Sequence, residues 1–335
     1  MKLIFELSKE HKTLPKSDIL NCLKSENIDH QIINDNEDAL IIDTNADKNK
    51  ITRVAQRISY TFCISEFLFT CNPIQNNIKN IASKHPINKQ GSIAVRYRNR
   101  SNKIDSQEII KKLADVYSIN RKVILRNPDI EIRAIIADAS LIVGVKKVEI
   151  DKSQFEKRKV QYRPFFSPIS LHPKLARALV NLSNINKNKT LYDPFCGTGG
   201  ILIEAGLIGA KVVGSDIEEK MIKGCKENLE FYNIKQYNLF RSDIGAIKSY
   251  ISKVDAVVTD LPYGKSTTTK KEKIDQLYKR AFENIYNILE NNGRAVIGLS
   301  NKKMISKGEK FFNIIEKHEY REHSSLTRYF VVYQK

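Results

Sequence analysis

The chain of 335 residues has only five cysteines (Cys22, Cys63, Cys71, Cys196, Cys225), and no two of them form a CxxC pair. That spacing argues against a structural zinc site and against a disulfide framework, leaving scattered reduced thiols. No apolar run approaches the ~20 residues that a membrane helix needs. The N-terminal segment MKLIFELSKE meets Glu6 before a signal-peptide core can form. Internal repeats and long low-complexity segments are also missing. A cytoplasmic protein with no membrane partner and no metal is expected. Its oligomeric state stays open, a monomer included. Hydrophobic residues make up 41% of the chain, which excludes global disorder.

Acidic excess is missing beyond the first 80 residues. Residues 1–80 carry 10 Lys+Arg against 11 Asp+Glu, residues 81–170 carry 19 against 9, and residues 171–335 carry 27 against 18. The net charge of +18 is therefore spread over most of the chain and is not a detachable basic tail. Such a field attracts a polyanion, nucleic acid above all.

The length suggests two or three domains. Residues 1–65 read as strand, helix, strand, strand, helix (Lys2–Leu7, about 16–25, 29–33, Ala39–Asp43, about 48–58), a ferredoxin-like order. In residues 66–150, strands are expected at 92–97, 122–125, 131–137 and 139–145. A helix over 106–117 shows its spacing at Ile109, Ile110, Leu113 and Val116. Residues 151–170, charged and then interrupted by Pro164 and Pro168, read as a linker. From residue 171 helices alternate with apolar strands at 190–192, 211–214, 237–241, 256–259 and 294–299. That alternation is the mark of a doubly wound α/β parallel sheet, and a terminal hairpin follows at 312–320 and 327–333.

Asp193-Pro-Phe-Cys-Gly197-Thr-Gly199-Gly200 follows the first of those strands. Its glycines allow a tight turn and close approach to a ligand. The third glycine of a dinucleotide fingerprint is absent, because Leu202 stands there. Asp193 would repel a pyrophosphate and suits a cationic ligand instead. S-adenosylmethionine, with an ammonium and a sulfonium, is such a ligand. Asp216, about 20 residues on, stands where a ribose diol is gripped. Asp243 stands where an adenine amine can donate. Phe195, Ile217 and Ile244 lie beside these positions as further cofactor candidates. Each acid alone also reads as a helix cap.

The fourth strand ends in Asp260-Leu261-Pro262-Tyr263-Gly264. An exocyclic base amine is a weak nucleophile because its lone pair is delocalised. A carboxylate and a backbone carbonyl before proline can each accept an amine hydrogen and return that lone pair, while an aromatic ring fixes the base plane. Pro-Tyr-Gly is also good turn chemistry.

Residues 171–335 resemble Rossmann-like amino-methyltransferases with a (D/N)PP(Y/F) motif, Leu261 replacing the first proline. Residues 66–150 look like a THUMP RNA-binding domain, chiefly through VILRNPDIEIRAIIADASLIVGV at 123–145. RPFFSPISLHPKLARALVNL at 163–182 and HSSLTRYF at 323–330 resemble the archaeal tRNA guanosine-10 N2-methyltransferase family. The resemblance implies S-adenosylmethionine as cofactor, tRNA as partner, and N2-methyl- or N2,N2-dimethylguanosine as product. It implies Asp193, Gly197, Gly199, Asp216 and Asp243 on the cofactor, with Asp260 to Tyr263 on the target guanine. The segment 166–172 would cover the methionine end. Arg96, Arg98, Arg100, Lys122, Arg126, Lys265 and Arg328 are the expected RNA contacts. N6-adenine methylation, another guanosine, and a silent RNA-binding protein stay as alternatives. A fragment of residues 160–335, which holds all the binding acids, is expected to retain the cofactor and to bind tRNA weakly.

Overall fold

The computed structural model describes residues 1–74, 77–167, 170–263, 272–323 and 326–335. The chain forms two compact units, one of Met1–Pro15, Ile28–Gln56 and Tyr60–Ile150, the other of Lys16–Asn27, Arg57–Ser59 and Asp151–Lys335. No helix among the described residues is long and apolar enough to cross a membrane.

The chain starts β1 (Lys2–Leu7), α1 (Leu14–Ser25), β2 (His30–Asp35), β3 (Ala39–Thr44), α2 (Lys48–Arg57) and β4 (Thr61–Cys71). It continues α3 (Ile78–Ser83), β5 (Ile93–Asn99), α4 (Ser106–Tyr117), β6 (Ile130–Ile136) and β7 (Leu141–Glu149). The seven strands form one sheet in the order β2-β3-β1-β4-β7-β6-β5. The expected cut at 65/66 falls inside β4, which pairs β1 on one side and β7 on the other. β4 thus completes the ferredoxin-like order of the first 65 residues and opens the next half. The expected strand at 122–125 is reduced to a single bridge between Ile93 and Val123. α4 forms as its sequence dictates. Asp105 accepts a hydrogen bond from the Gln107 amide at 2.8 Å as N-cap, and Ile109, Leu113 and Tyr117 are buried on one face.

This first sheet is strongly curled. β1 and β5 are separated by three strands, roughly 19 Å in a flat sheet. Yet Glu6 of β1 pairs with Arg98 of β5 and lies 2.8 Å from Arg133 of β6. Arg100 donates to the Leu7 carbonyl at 2.9 Å.

The second unit continues α5 (Ser153–Glu156), α6 (Pro173–Leu182), β8 (Thr190–Asp193), α7 (Gly200–Leu207), β9 (Lys211–Asp216), α8 (Glu219–Phe231) and β10 (Tyr237–Arg241). Then come β11 (Val254–Asp260), α9 (Ile274–Ile288), β12 (Leu289–Leu299), α10 (Ile305–Gly308), β13 (Asn313–His323) and β14 (Leu326–Gln334). Its sheet order is β10-β9-β8-β11-β12-β14-β13. The five central and left-hand strands are parallel, and β14 pairs antiparallel to both β12 and β13. The strand order reverses between β8 and β11, so their carboxyl ends flank the crevice where open sheets take ligands.

Residues 151–167 are not a free linker. Phe155 is buried, and Arg158 donates to both oxygens of the fully buried Glu204 on α7 at 2.7 and 3.0 Å. Arg177 of α6 approaches the same carboxylate at 2.8 Å. One anion thus holds two guanidiniums and ties the segment to α6 and α7. α1 joins the same unit through a second polar knot. Asn181 donates to Asp18 at 2.7 Å and accepts from Arg57, while Asp18 accepts from the Ser59 amide at 2.7 Å. A fragment starting at 160 lacks Asp18, Arg57 and Arg158, which belong to the polar knots of this unit.

Replacing Glu204 with Gln leaves two buried cations without their anion. We expect a loss of about 3–5 kcal/mol in unfolding free energy, read by urea denaturation. A loss below about 1 kcal/mol would show that the triad is not structural.

Candidate active site

β8, β9 and β11 each end in aspartate, and the three carboxylates converge on the crevice side of the sheet. At Asp193 the chain leaves β8 and turns through a loop into α7. Gly197 and Gly199 adopt φ of 51° and 82°, left-handed values that favour glycine. The loop is pinned from below. The Cys196 amide donates to the Ser215 carbonyl at 3.0 Å, and the Ser215 hydroxyl donates to the Pro194 carbonyl at 3.2 Å. Asn228 of α8 accepts from the Phe165 amide at 3.0 Å and donates to the Phe165 and Thr198 carbonyls at 3.1 and 3.0 Å. It thereby fastens the segment before α6 to the glycine loop.

Asp193 is 2% exposed and accepts from the Phe195 amide at 3.1 Å and the Thr259 hydroxyl at 2.7 Å. Burial pushes its carboxyl up to about 7. Asp216 accepts from the amides of Gly197 and Glu218 at 3.0 and 2.9 Å, and burial raises its carboxyl as well. Both acids are pinned by backbone amides, and nothing lies within 4 Å of where a Cβ on Gly197 would stand.

Asp243 is differently employed. It caps the turn after β10 by accepting from the Gly245 amide at 2.8 Å, and Arg280 of α9 donates to both its oxygens at 2.6 and 3.2 Å. Arg280 also binds Glu272 at 2.7 Å. Of the remaining cofactor candidates, Ile244 is buried in the core, while Phe195 and Ile217 are half-buried. His172, in the segment expected over the methionine end, is the N-cap of α6 and accepts from the Lys174 amide at 3.2 Å.

Asp260 ends β11 one strand from Asp193. Its Oδ2 accepts from Arg328 of β14 at 2.9 Å, and its Oδ1 accepts from the Tyr263 hydroxyl. Burial raises the carboxyl, and the Arg328 charge opposes that rise. The same burial, reinforced by the Asp260 anion, pushes the Tyr263 phenol upward. The Arg328 guanidinium lies 5.1 Å from the centre of the Tyr263 ring. Leu261 turns its side chain into the core, so any part it takes in chemistry is through its backbone. The Tyr278 hydroxyl donates to the Pro262 carbonyl at 3.1 Å and anchors the turn. Room for the carboxylate comes from Gly298 on β12. A Cβ there would stand 2.2 Å from Asp260 Oδ1 and 2.9 Å from the Phe330 ring.

The expected RNA contacts divide. Arg98 and Arg100 stack on Phe62 and serve the curled sheet, and Arg96 donates to the Leu125 carbonyl. Lys122 and Arg126 are exposed on the first unit. Lys265 lies outside the described residues. Arg328 is 7% exposed and belongs to the Asp260 cluster, not to an open basic face. Thr259, Arg280, Gly298 and the pairing of Arg328 with Asp260 escaped the sequence reading. Thr259, Arg280 and Gly298 lie outside the quoted motifs, Arg328 lies within HSSLTRYF without its partner being visible there, and each acts across strands or helices distant in sequence.

Residues 160–329 match the family model described as "RMKL-like, methyltransferase domain", and residues 70–146 match the THUMP domain. The tRNA (guanine(10)-N2)-dimethyltransferase of Methanothermobacter thermautotrophicus is 34% identical over 333 residues, covering 98% of each chain. The chain belongs to this archaeal family of methyltransferases. Among solved structures, TrmN from Thermus thermophilus covers 100% of both chains with a TM-score of 0.61 and 18% identity. SMU.472, crystallised with SAH, covers 100% of this chain and 98% of its own with a TM-score of 0.56 and 13% identity. At those identities the likeness is one of fold. The residues that match the methyltransferase-domain model include both the Asp193 loop and the Asp260 cluster.

Gly298→Ala inserts a methyl group where the Asp260 carboxylate and the Phe330 ring meet. We expect methyl transfer to fall at least ~10-fold, with a destabilisation of about 1–3 kcal/mol from overpacking. Wild-type turnover in this variant would mean that Asp260 is not held where it must act.

Proposed function

We propose that this chain transfers a methyl group from S-adenosylmethionine to the exocyclic N2 of a guanosine in tRNA. We place it at position 10, as the name of its relative states, with one or two methyl groups added. The observation that carries this reading is the half-buried Asp260 carboxylate, held by Arg328 and Tyr263 one strand from the glycine loop. The THUMP match and the net +10 over residues 81–170 support RNA as the macromolecular partner. Among the described residues no group of three or more His, Cys, Asp or Glu is arranged to hold a metal ion.

The residues fit the cofactor. Asp193 is a buried acceptor of a kind suited to an ammonium, and Asp216 is an acceptor suited to a ribose diol. Open space over Gly197 admits a ligand against bare backbone. Asp243, bound by Arg280 and the Gly245 amide, is the acid at the end of β10 towards which an adenine amine would donate. When bound, the cofactor supplies an electrophilic methyl group on its sulfonium. Everything else falls to the chain. Each Asp260 oxygen has a second lone pair beyond the one already used. One of these accepts a hydrogen of the base amine. The Leu261 carbonyl, ahead of Pro262, takes the other. Both contacts draw the nitrogen lone pair out of the ring and strengthen as charge develops on nitrogen. The bond from the Tyr263 hydroxyl to Asp260 sets the plane of the ring on which the base stacks.

Two substrates and one variant test the reading. Inosine lacks the N2 amine, so a tRNA transcript with inosine at position 10 should take up no labelled methyl group, whereas the guanosine transcript is labelled. Asp260→Ala should lower turnover by at least ~100-fold with cofactor affinity nearly unchanged. Labelling of the inosine transcript, or full turnover by the Asp260 variant, would overturn it.

A further inference from the structure

Arg328 is the one cation bound to the Asp260 carboxylate among the described residues, and it is itself sandwiched. Its Nη1 donates to Asp260 Oδ2 at 2.9 Å, its Nε lies 2.7 Å from Glu322 of β13, and its guanidinium faces the Tyr263 ring. Glu322 does not arrive there by regular pairing. β13 and β14 pair Arg321 with Thr327 and His323 with Leu326, so Glu322 is the extra residue of a bulge. Bulges re-aim side chains, and this one turns a carboxylate onto the arginine. Asp260 is 19% exposed at its side chain, Glu322 38% and Arg328 8%. The charge nearest Asp260 is thus deeply enclosed, and the charge that competes for it stands at the edge.

We propose that Arg328 is a positioning residue for methyl transfer: it holds the Asp260 carboxylate as an anion and in register, and Glu322 moderates how much of its charge Asp260 receives. The inference rests on the proposed role of Asp260. The chemistry requires it, because a protonated Asp260 loses an anionic acceptor and gains a donor that opposes the amine hydrogens. The groups facing this carboxylate set the balance. Arg328 on β14 favours the anion, and so does the Tyr263 hydroxyl. Burial and Glu322 on β13 oppose it. Asp193 on β8 is a like charge coupled to Asp260, and Tyr278 of α9 contributes a neutral phenol directed at Pro262. From β12 comes only Gly298, which adds no charge.

The sign follows from these partners. Without Arg328, burial acts unopposed and Asp260 takes its proton at higher pH. The test is the single-turnover rate of methyl transfer to full-length tRNA transcript by the full chain, from pH 5.5 to 9.5. Arg328→Gln should move the acid limb upward by at least one pH unit. That is a tenfold deficit on the limb, recovered at high pH, with cofactor affinity unchanged. Glu322→Gln, at an exposed position that tolerates change, should move the limb the opposite way. Asp260→Asn should lose the part of the limb that the Arg328 and Glu322 variants move, and in it neither substitution should shift what remains, which belongs to Asp193 with its carboxyl pushed up to about 7 by burial. An equal loss at every pH in Arg328→Gln, an unmoved limb, or an upward shift in Glu322→Gln would overturn the proposal. Identity of the methylated base tests the functional reading, while the position of the limb tests Arg328, so the two fail separately.

Discussion

The proposed chemistry depends on one constraint, that the largely enclosed Asp260 carboxylate be charged. Burial alone drives Asp260 towards its neutral form. Two neighbours offset that cost, the Arg328 guanidinium at 2.9 Å and the Tyr263 hydroxyl, while the absent side chain at Gly298 leaves room for the carboxylate. The terminal hairpin is therefore more than an edge to the sheet. β14 pairs with β12 in a register that sets Phe330 against Gly298, which brings Arg328 over the end of β11. The antiparallel order of the last strands and the parallel order of the first five meet at this anion.

A second theme is the use of buried polar knots as scaffold. Glu204 with Arg158 and Arg177, and Asn181 with Asp18 and Arg57, bind segments far apart in sequence to α6 and α7. Such clusters gain little over an apolar core in stability, but a broken one is costly, so they select one arrangement of the chain. Here they secure α6, at whose head His172 caps the helix and beside which Asn228 holds Phe165 to the glycine loop.

The elements with a clean period were readable from the sequence. α4 and β10 have the expected bounds, and the βα alternation from residue 171 announced a parallel sheet. The glycine loop and the Asp260 tetrapeptide were readable because their chemistry is local. β4 was not, because TFCISEFLFTC is mostly apolar and is interrupted by register shifts, so its period is broken. The segment 151–170 read as a linker because it is charged and broken by prolines, whereas Arg158 is paired to a carboxylate 46 residues away. Arg328 read as an RNA contact for the same reason. A basic residue tells nothing of its partner until the fold brings one to it. Arg98 repeats the lesson, since its partner Glu6 lies 92 residues earlier.

The measurement that bears most directly on the whole account is nucleoside mass spectrometry of tRNA incubated with the full chain and S-adenosylmethionine carrying a labelled methyl group. The Asp260 site, with its anionic acceptor and stacking ring, predicts label in N2-methylguanosine, and in N2,N2-dimethylguanosine at longer times. Label confined to N6-methyladenosine, or no label in any nucleoside while the cofactor still binds, would contradict it.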